Sequence, residues 1–391
     1  MSQKNLLVIA HSYSTFIKDQ IEALSPSFEE IFVFVRLNPF AELSKIIPIN
    51  WMKPFAQSIK IDLFNKPSNV HVIPTPILYF PFDFCYKKLG ERHYRIVDHI
   101  IKKEKITFDL IHAHVAWSAG YVGARLKEKY TVPLVLTAHG YDIYSLPFKD
   151  AAWKKNIEYV LNTADTIITV SRSNLEYIRK LDVETPVHVI PNGFCSHLFL
   201  PKDIAECRRV LNLPQDCKIL LTVGNLAPLK GHKYLISAVN EIMSERGDIL
   251  CIIVGLGRES RSLQMQIRSL GLEEHVMLVG WKRHDEIPLW MNACDLVILP
   301  SLSEGNPTVL PEALSCGKPF VGTRVGGVPE IITSDKLGLL VEPADPEDLA
   351  KKILIALSRE WDHEAILAYA KRFTWENIAR EIIGVYMNVS G

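Results

Sequence analysis

Short apolar runs rich in β-branched residues alternate with amphipathic helical segments along almost the whole chain. This alternation is typical of parallel sheets that are flanked by helices. Strands are predicted near residues 6–10, 31–35, 70–73, 110–113, 134–138, 166–170 and 187–190, and then near 219–223, 250–254, 276–279, 296–299, 320–321 and 339–341. Helices are predicted between them, for example over 233–246 and 260–270. The pattern predicts an α/β protein with two doubly wound, Rossmann-like domains in series.

The boundary between the two sets is predicted near residues 191–201, where Pro191-Asn192-Gly193 interrupts the chain and a helical pattern begins at Ile204. A chain of 391 residues has the length of two ordinary domains. We therefore expect an N-terminal domain over 1–198 and a C-terminal domain over 199–372. Ligands of such sheets bind beyond the carboxyl ends of the strands, so two facing sheets would form an interdomain cleft with a ligand on each wall.

Composition excludes several classes of partner and compartment. Forty-four basic residues balance forty-four acidic ones, so no overall field attracts nucleic acid. No apolar run approaches the roughly 18 residues of a membrane-spanning helix, and Leu6–Ala10 is too short for the core of a signal peptide. Seven cysteines form no C-x-x-C pair. A reduced, cytoplasmic protein is expected.

The loop and helix start that follow the predicted strand at 296–299 carry the sharpest chemical signal. The N–H groups of Thr308, Val309 and Leu310 would face outward at the positive end of a helix, which suits a diphosphate. Glu304 and Glu312 flank this helix start, and carboxylates accept pairs of hydrogen bonds from sugar or ribose hydroxyls. Both glutamates are equally compatible with ordinary solvated positions.

Two glycine-containing turns follow neighbouring strands of the second half. One strand runs into Gly224, and Lys230 then precedes a helix at a position from which a lysine reaches a phosphate. The same lysine is compatible with a plain surface charge. Gly255 and Gly257 form a G-x-G turn without the third glycine of a dinucleotide fingerprint, so a dehydrogenase is the least favoured interpretation.

In the first half, His139 stands at the end of a predicted buried strand, and Asp142 follows it. A histidine there is able to donate to a sugar hydroxyl or a phosphate, but a structural role is also open. Asp142 is compatible with capping a turn as well as with binding a ligand.

In this order, the motifs together resemble the retaining glycosyltransferases of family 4, which have the two-domain GT-B fold. The resemblance covers nearly the whole chain and is carried by Asp109-Leu-Ile-His-Ala-His, Thr137-Ala-His-Gly-Tyr-Asp, Ile190-Pro-Asn-Gly, Gly224…Lys230-Gly231, Gly280-Trp, Glu304-Gly-Asn-Pro…Pro311-Glu312-Ala-Leu, Gly326-Gly-Val-Pro-Glu and Phe373-Thr-Trp.

The resemblance implies that the C-terminal domain holds a nucleotide sugar and the N-terminal domain an acceptor. Glu304, His139 and Lys230 would be catalytic, with Glu304 and His139 on the transferred sugar and Lys230 on the diphosphate. The implied donor-binding set is Gly224, Asn225, Lys230, Arg258, Gly280, Glu304, Asn306, Thr308, Val309, Leu310 and Glu312, with Glu312 on the ribose. The implied acceptor side is His11, Thr15, Phe16, His114 and Asp142. The final helix, about 377–386, would cross back, so that 373–391 joins the first domain.

Two positions depart from the family pattern. Asn225 stands where the family often has an arginine, and Arg258 is a candidate to replace that charge. The first loop, His11-Ser-Tyr-Ser-Thr-Phe, lacks the Gly-Gly pair that often lies near the acceptor and is closer to the branch with a Thr-Phe pair. Base, sugar, linkage and acceptor identity therefore stay open.

The expected activity is transfer of a hexose-type sugar, with retention, from a nucleotide diphosphate sugar to a glycan or lipid-linked saccharide. No aspartate-based metal motif is present, so neither a metal nor another cofactor is expected. Two alternatives stay open: a nucleotide-sugar epimerase of the same architecture, and a non-catalytic sugar-nucleotide-binding protein in which Asn225 marks lost catalysis.

Aromatic and proline residues are dense at 74–88, which ends in Lys87-Lys88, and again at 46–55. Such stretches favour contact with an anionic membrane surface, which would place the protein peripherally on the inner face of the cell membrane. A proline-rich loop packed on the first domain's core is the alternative.

Overall fold

The computed structural model describes residues 4–41, 57–80 and 82–390. The chain divides into two compact units, one of Met1–Asn192 with Trp375–Gly391 and one of Gly193–Thr374. The chain passes from the first unit to the second after Asn192, six residues before the predicted boundary at 198. It returns to the first unit after Thr374, whereas the prediction placed this return after 372.

The first unit contains one seven-stranded parallel sheet of order β3-β2-β1-β4-β5-β6-β7. Its strands are β1 (Leu6–Ala10), β2 (Ile31–Leu37), β3 (Val70–Pro76), β4 (Leu110–His114), β5 (Leu134–Ala138), β6 (Thr166–Thr169) and β7 (Val187–Val189). Its helices before the division are α1 (Thr15–Leu24), α2 (Gln57–Lys60), α3 (Asp83–Lys87), α4 (Leu89–Lys103), α5 (Tyr121–Tyr130), α6 (Tyr141–Tyr144), α7 (Ala151–Thr163) and α8 (Arg172–Ile178).

The second unit contains one six-stranded parallel sheet of order β10-β9-β8-β11-β12-β13. Its strands are β8 (Lys218–Val223), β9 (Ile249–Val254), β10 (Val276–Gly280), β11 (Leu296–Leu299), β12 (Phe320–Thr323) and β13 (Gly338–Val341). Its helices are α9 (Ile204–Val210), α10 (His232–Ile242), α11 (Ser260–Ser269), α12 (Ile287–Ala293), α13 (Val309–Ser315), α14 (Val328–Ile331), α15 (Pro346–Ser358) and α16 (His363–Ala370).

Both sheets are covered on two faces, which explains the continuous apolar strands. All five residues of β1 are buried. Leu7 and Ile9 join one core cluster, whereas Leu6 and Val8 join the cluster on the opposite face. Successive side chains of a strand point to opposite faces, so a strand with a core on each side needs apolar residues throughout.

The C-terminal helix α17 (Trp375–Ser390) belongs to the first unit. Its apolar side chains at a helical spacing, Ile378, Ile382 and Tyr386, share a buried cluster with Leu6 and Val8 of β1. This packing fixes the end of the chain on the sheet that begins the chain.

The structure confirms the predicted fold class and all thirteen predicted strands, with differences only at their ends. The largest difference is β3, predicted to end at residue 73, which continues through Pro74 to Pro76 paired with Val35 and Leu37 of β2. Prolines are tolerated here because β3 is an edge strand, where the missing N–H faces no neighbouring strand. In the described parts of the chain, no helix is both long and apolar enough to cross a membrane.

Candidate active site

The loops after β8 and β11 lie side by side at the carboxyl edge of the second sheet. Leu302 N–H donates to Leu229 O at 2.7 Å. Gly231 has φ +65°, and an alanine methyl there would lie 1.9 Å from Pro300 O. The absence of a side chain at Gly231 therefore allows the two loops to approach to backbone contact.

This approach brings together two residues that the sequence analysis assigned to catalysis. Lys230 Nζ donates to Glu304 Oε1 at 2.7 Å, and Ser301 Oγ donates to the same oxygen at 2.6 Å. The Glu304 side chain is only 8% exposed. A buried carboxylate needs such partners to stay charged, and an ammonium beside it is one that a ligand's phosphate would also attract.

Glu312 lies in the first turn of α13 and is also buried, with 8% of its side chain exposed. Its Oε1 lies 3.1 Å from His284 Nε2. The His284 ring packs against Phe199, with 5.2 Å between ring centroids. Ser301 and Phe199 were not among the predicted site residues, whereas His284 was named from the sequence only as lying near the position of the base. Ser301 lies three residues before Glu304, so its position beside the glutamate was the available signal.

The predicted set of three free backbone amides is wrong for Leu310. Its N–H donates to Pro307 O at 3.2 Å, because the chain makes a tight turn immediately before α13. Within the described ranges, the N–H groups of Thr308 and Val309 donate to no protein acceptor. Asn306 is buried just before this turn. Two amides are therefore available for an anion at this point.

The remaining predicted donor residues lie at the same edge of the sheet. Gly224 N–H donates to Val254 O at 3.0 Å, and Gly255 N–H donates to Gly280 O at 2.9 Å, so these bonds link the ends of β8, β9 and β10. Asn225 is exposed. Arg258 is exposed too and forms no ion pair with any residue that the structure describes.

In the first unit, three predicted residues meet at the carboxyl ends of β4 and β5. His114 Nδ1 and His139 Nε2 share a hydrogen bond of 3.1 Å, and the Phe16 ring lies 5.3 Å from the His139 ring. Burial lowers the pKa of His139 to about 4 and that of His114 well below its usual value. Both rings are therefore neutral at pH 7, and a neutral imidazole offers one donor and one acceptor to a hydroxyl group.

Asp142 caps turns of the first unit. Its Oδ2 accepts from Ala116 N–H and its Oδ1 from Gly140 N–H, both at 2.8 Å. The side chain is buried, and burial raises its pKa. Of the two interpretations that the sequence left open, the observed contacts are those of a turn cap. Thr15 is exposed at the start of α1, and His11 follows β1 directly.

Several buried polar residues of the first unit were missed, among them Arg36, His93 and His112. Arg36 is the only charged residue of the strand Ile-Phe-Val-Phe-Val-Arg-Leu. A single cation in an otherwise apolar strand was the signal that could have identified it.

Family models match both halves of the chain. The model described as Glycosyl transferases group 1 matches residues 203–373, and the model described as Glycosyltransferase Family 4 matches residues 55–195. The first match lies within the second unit, and the second match lies on the first unit except for its last three residues.

Curated relatives extend the match across most of the chain. An uncharacterized glycosyltransferase of Methanocaldococcus jannaschii is 33% identical over 304 residues, covering 76% of this chain and 80% of the relative. A D-inositol 3-phosphate glycosyltransferase of Acidothermus cellulolyticus is 31% identical over 304 residues, covering 71% of this chain and 67% of the relative.

Solved structures share the fold. Sucrose-phosphate synthase from Thermosynechococcus elongatus superposes with a TM-score of 0.78 at 23% identity and covers 99% of both chains. Anabaena HepE in complex with UDP-glucose has a TM-score of 0.75 at 24% identity, covering 99% of this chain and 100% of HepE. The two doubly wound units and these neighbours define the GT-B fold. The curated relatives and the two family models identify the family. The chain belongs to glycosyltransferase family 4, the group 1 glycosyl transferases.

Proposed function

We propose that this glycosyltransferase moves a hexose-type sugar from a nucleotide diphosphate sugar to a glycan or lipid-linked acceptor, with retention and without a metal ion. The observation that carries the proposal is the Glu304 carboxylate held by Lys230 and Ser301 at the carboxyl edge of the second sheet, with Glu312 nearby in sequence on α13. HepE, which shares the fold, is described in complex with UDP-glucose. Epimerization and ligand binding without catalysis are not favoured by the family match.

Charge decides the roles of these residues. Departure of a diphosphate leaves negative charge on the oxygen that separates from the sugar, and preorganised donors lower the barrier by stabilising it. Lys230 and the amides of Thr308 and Val309 are the donors we assign to this oxygen and its phosphates. A diphosphate would compete with Glu304 for the Lys230 ammonium, which would leave Glu304 free to accept hydrogen bonds from sugar hydroxyls. Glu312 is assigned to the ribose.

The proposed reaction takes place on one face of the sugar. The bond from the anomeric carbon to the phosphate oxygen breaks, the bond to the acceptor oxygen forms on the same face, and the acceptor proton passes to the departing phosphate oxygen. Glu304 then acts by binding and not as a nucleophile. The positive charge comes from Lys230, the two amides and Arg258, and this supports a reaction that proceeds in the presence of a chelator.

Calorimetric titration of the full chain with UDP, GDP and ADP, with and without EDTA, tests the donor site. One nucleotide should bind in the presence of chelator, and binding should weaken by about tenfold or more in Lys230→Ala and in Glu312→Gln, because each loses a charged hydrogen-bonding partner. Lys233→Ala is the matched control, since Lys233 is exposed three residues further on. If Lys230→Ala and Lys233→Ala bind the nucleotide with equal affinity, Lys230 is not part of the nucleotide site.

The stereochemical course needs a separate measurement. Proton NMR of the first product formed from an α-linked donor sugar should show the α anomer, and a β product would refute retention. A covalent adduct on Glu304, trapped with a fluorinated donor and located by mass spectrometry, would refute front-face transfer. The contact predicted between His139 and the donor sugar stays a prediction.

A peripheral membrane contact is part of the proposal. Leu78, Phe80, Phe82 and Phe84 are exposed, and the Phe82 and Phe84 rings stack 6.1 Å apart next to the exposed Lys88. This exposure supports lipid contact over packing on the core, because exposed aromatic residues beside a cation suit an anionic interface. The second aromatic stretch, 46–55, lies outside the described residues.

Flotation with vesicles that contain anionic lipid tests this contact. The protein should float, and the double variant Phe82→Ser/Phe84→Ser should remain at the bottom of the gradient. Phe148→Ser, at another exposed phenylalanine, is the control. Failure of the unaltered protein to float would refute membrane binding and leave the donor site untouched.

A further inference from the structure

Arg36 is a buried cation in the first unit that has no acidic partner among the described residues. It lies next to the carboxyl end of β2 and is 5% exposed. Its Nη1 donates to Ser118 Oγ at 2.9 Å, whereas its Nε is buried and has no hydrogen-bond partner. Its guanidinium lies over the rings of Tyr79 and Tyr86, 5.3 and 5.7 Å from their centroids. No carboxylate of the described residues pairs with it.

A second cation, Lys60, lies beside Arg36. Its Nζ donates to the Arg36 backbone oxygen at 3.1 Å and forms no ion pair among the residues described. Burial and then the charge of Arg36 lower the pKa of Lys60 to about 7. The Lys60 ammonium is thus held against the backbone of the residue that carries the guanidinium.

Lys18, in the same unit, is a buried lysine that does have acidic partners. Its side chain is buried, and its Nζ lies 2.8 Å from Asp62 Oδ2 and 3.8 Å from Glu22 Oε1. Asp62 and Glu22 therefore lie beside Lys18, whereas no carboxylate in the described part of the chain forms an ion pair with Lys60. Removing a charge from water costs several kcal/mol unless a partner compensates it, so buried charges are normally paired.

Hydroxyl and imidazole groups complete the cluster around the two cations. His93, fully buried, lies 3.0 Å from Ser118 Oγ through Nδ1 and 3.5 Å from Thr75 Oγ1 through Nε2. His11 Nε2 is buried and unpartnered. Burial, Arg36 and Lys60 lower the pKa values of both histidines, so all charges that act on them from the described residues are of one sign.

The cluster lies where a ligand of this sheet is expected. His11 follows β1, Arg36 and Thr75 lie near the carboxyl ends of β2 and β3, and Ser118 lies four residues past β4. In open parallel sheets, ligands bind at this edge near the point where the strand order reverses, which here is between β1 and β4. Two cations at a ligand-binding edge that have no counter-ion among the described residues indicate that an anion of the ligand compensates them.

We propose that Arg36 and Lys60 bind a phosphate group of the acceptor, assisted by the hydroxyl and imidazole groups of Ser118, Thr75, His93 and His11. The proposal rests on the proposed function in one respect, namely that the first unit holds the acceptor. A phosphate suits the cluster better than a carboxylate for two reasons. Donors that come from four strand ends match the several oxygens of a phosphate, and a phosphate dianion compensates the charges of both cations. The acceptor is accordingly a phosphorylated saccharide or a lipid phosphate.

Titration of the full chain with inorganic phosphate tests the subsite independently of transfer. Phosphate should bind, and Arg36→Gln and Lys60→Gln should each weaken binding by at least about tenfold, the loss expected for one charged hydrogen bond. Arg95→Gln is the control, because Arg95 is exposed and already paired with Glu91 at 2.9 Å. No phosphate binding by the unaltered chain, or equal binding by Arg36→Gln, would overturn the proposal.

Nucleotide titration of the same variants separates this subsite from the donor site. Arg36→Gln and Lys60→Gln should bind the donor nucleotide like the unaltered chain, which also shows that they are folded. If Arg36→Gln does not fold, Lys60→Gln, at a half-buried position, decides the question alone. If no nucleotide binds but phosphate binding depends on Arg36, the proposed donor chemistry fails and the phosphate site stands.

The two sources of phosphate are distinguished by competition. A soluble hexose phosphate that displaces inorganic phosphate at least about tenfold more effectively than the unphosphorylated hexose supports a saccharide acceptor. Vesicles of phosphatidic acid that bind the unaltered chain and not Arg36→Gln support a lipid phosphate. Failure of both probes to depend on Arg36 would overturn the assignment to the acceptor.

Discussion

Replacement of Gly231 by alanine probes the contact that assembles the donor site. The methyl group would lie 1.9 Å from Pro300 O, whereas contacts below 3.0 Å are essentially not tolerated, so the loops would have to separate by about 1.1 Å (3.0 − 1.9). Gly271, after α11, has the same φ of +65°, but an added methyl would meet no atom within 4 Å. Gly271→Ala therefore carries the same backbone penalty without the overlap.

The two variants separate the cost of an alanine in the left-handed conformation from the cost of steric overlap with the neighbouring loop. An alanine in the left-handed conformation costs about 1–2 kcal/mol, part of which is offset by a less flexible unfolded chain. Overlap with backbone adds about 1–3 kcal/mol in Gly231→Ala alone. In a unit of 182 residues (374 − 193 + 1), each kcal/mol lowers Tm by about 2–4 °C. Gly231→Ala should therefore melt roughly 2–12 °C below Gly271→Ala.

Differential scanning calorimetry measures the two melting temperatures, and nucleotide titration measures the consequence for the site. Because Pro300 precedes Ser301, movement of this loop displaces the hydroxyl that holds Glu304. A displacement of about 1 Å in such a site typically costs about 100-fold in rate, so transfer should fall by that order. Gly231→Ala with the Tm and activity of Gly271→Ala would refute the argument that backbone contact positions the loop.

Three further predictions concern buried polar groups. Tyr386→Phe removes the hydroxyl that lies 2.6 Å from His112 Nδ1 and should lower the free energy of unfolding by about 1–3 kcal/mol. Urea titration measures this loss, and Tyr130→Phe, at a half-buried tyrosine, is the comparison. Burial lowers the pKa of His112 to about 3, so the unfolded chain binds the proton first as the pH falls, and this histidine alone should cost about 1.4 kcal/mol of stability per pH unit below about 6.5. The pKa values of His139, His114, His11 and His93 are lowered in the same direction, so the whole chain should lose stability more steeply, and a constant free energy of unfolding from about pH 6.5 to 5 would contradict this. Arg208 Nη2 lies 2.6 Å from Asp295 Oδ2, and Lys218 Nζ, the second cation beside this carboxylate, lies 3.6 Å from Oδ1. Arg208→Gln should cost up to about 3–5 kcal/mol, because it removes the buried partner and leaves only the more exposed Lys218, and an unchanged unfolding midpoint would contradict this.

Much of the fold could be predicted because its determinants are local. A strand such as β11 (Leu296–Leu299) is a short apolar run ended by proline and followed by polar residues. A helix such as α10 (His232–Ile242) buries Leu235, Val239 and Ile242, which lie four and then three positions apart. Such periodicity depends only on neighbours in sequence. The family motifs likewise predicted Lys230 and Glu304 as neighbours in one site, and the two side chains share a hydrogen bond in the structure.

Tertiary structure alone decided which distant residues meet. Tyr386 and His112 are 274 residues apart and share a hydrogen bond, because α17 packs on the sheet that begins the chain. The cluster around Arg36 depends in the same way on the order β3-β2-β1-β4, which brings the ends of four separate strands to one edge. Sequence by itself determined the two sets of strands and helices. That no described carboxylate pairs with Arg36 could be seen only in the tertiary structure, since compensation of a charge depends on distance in space and not on position in the chain.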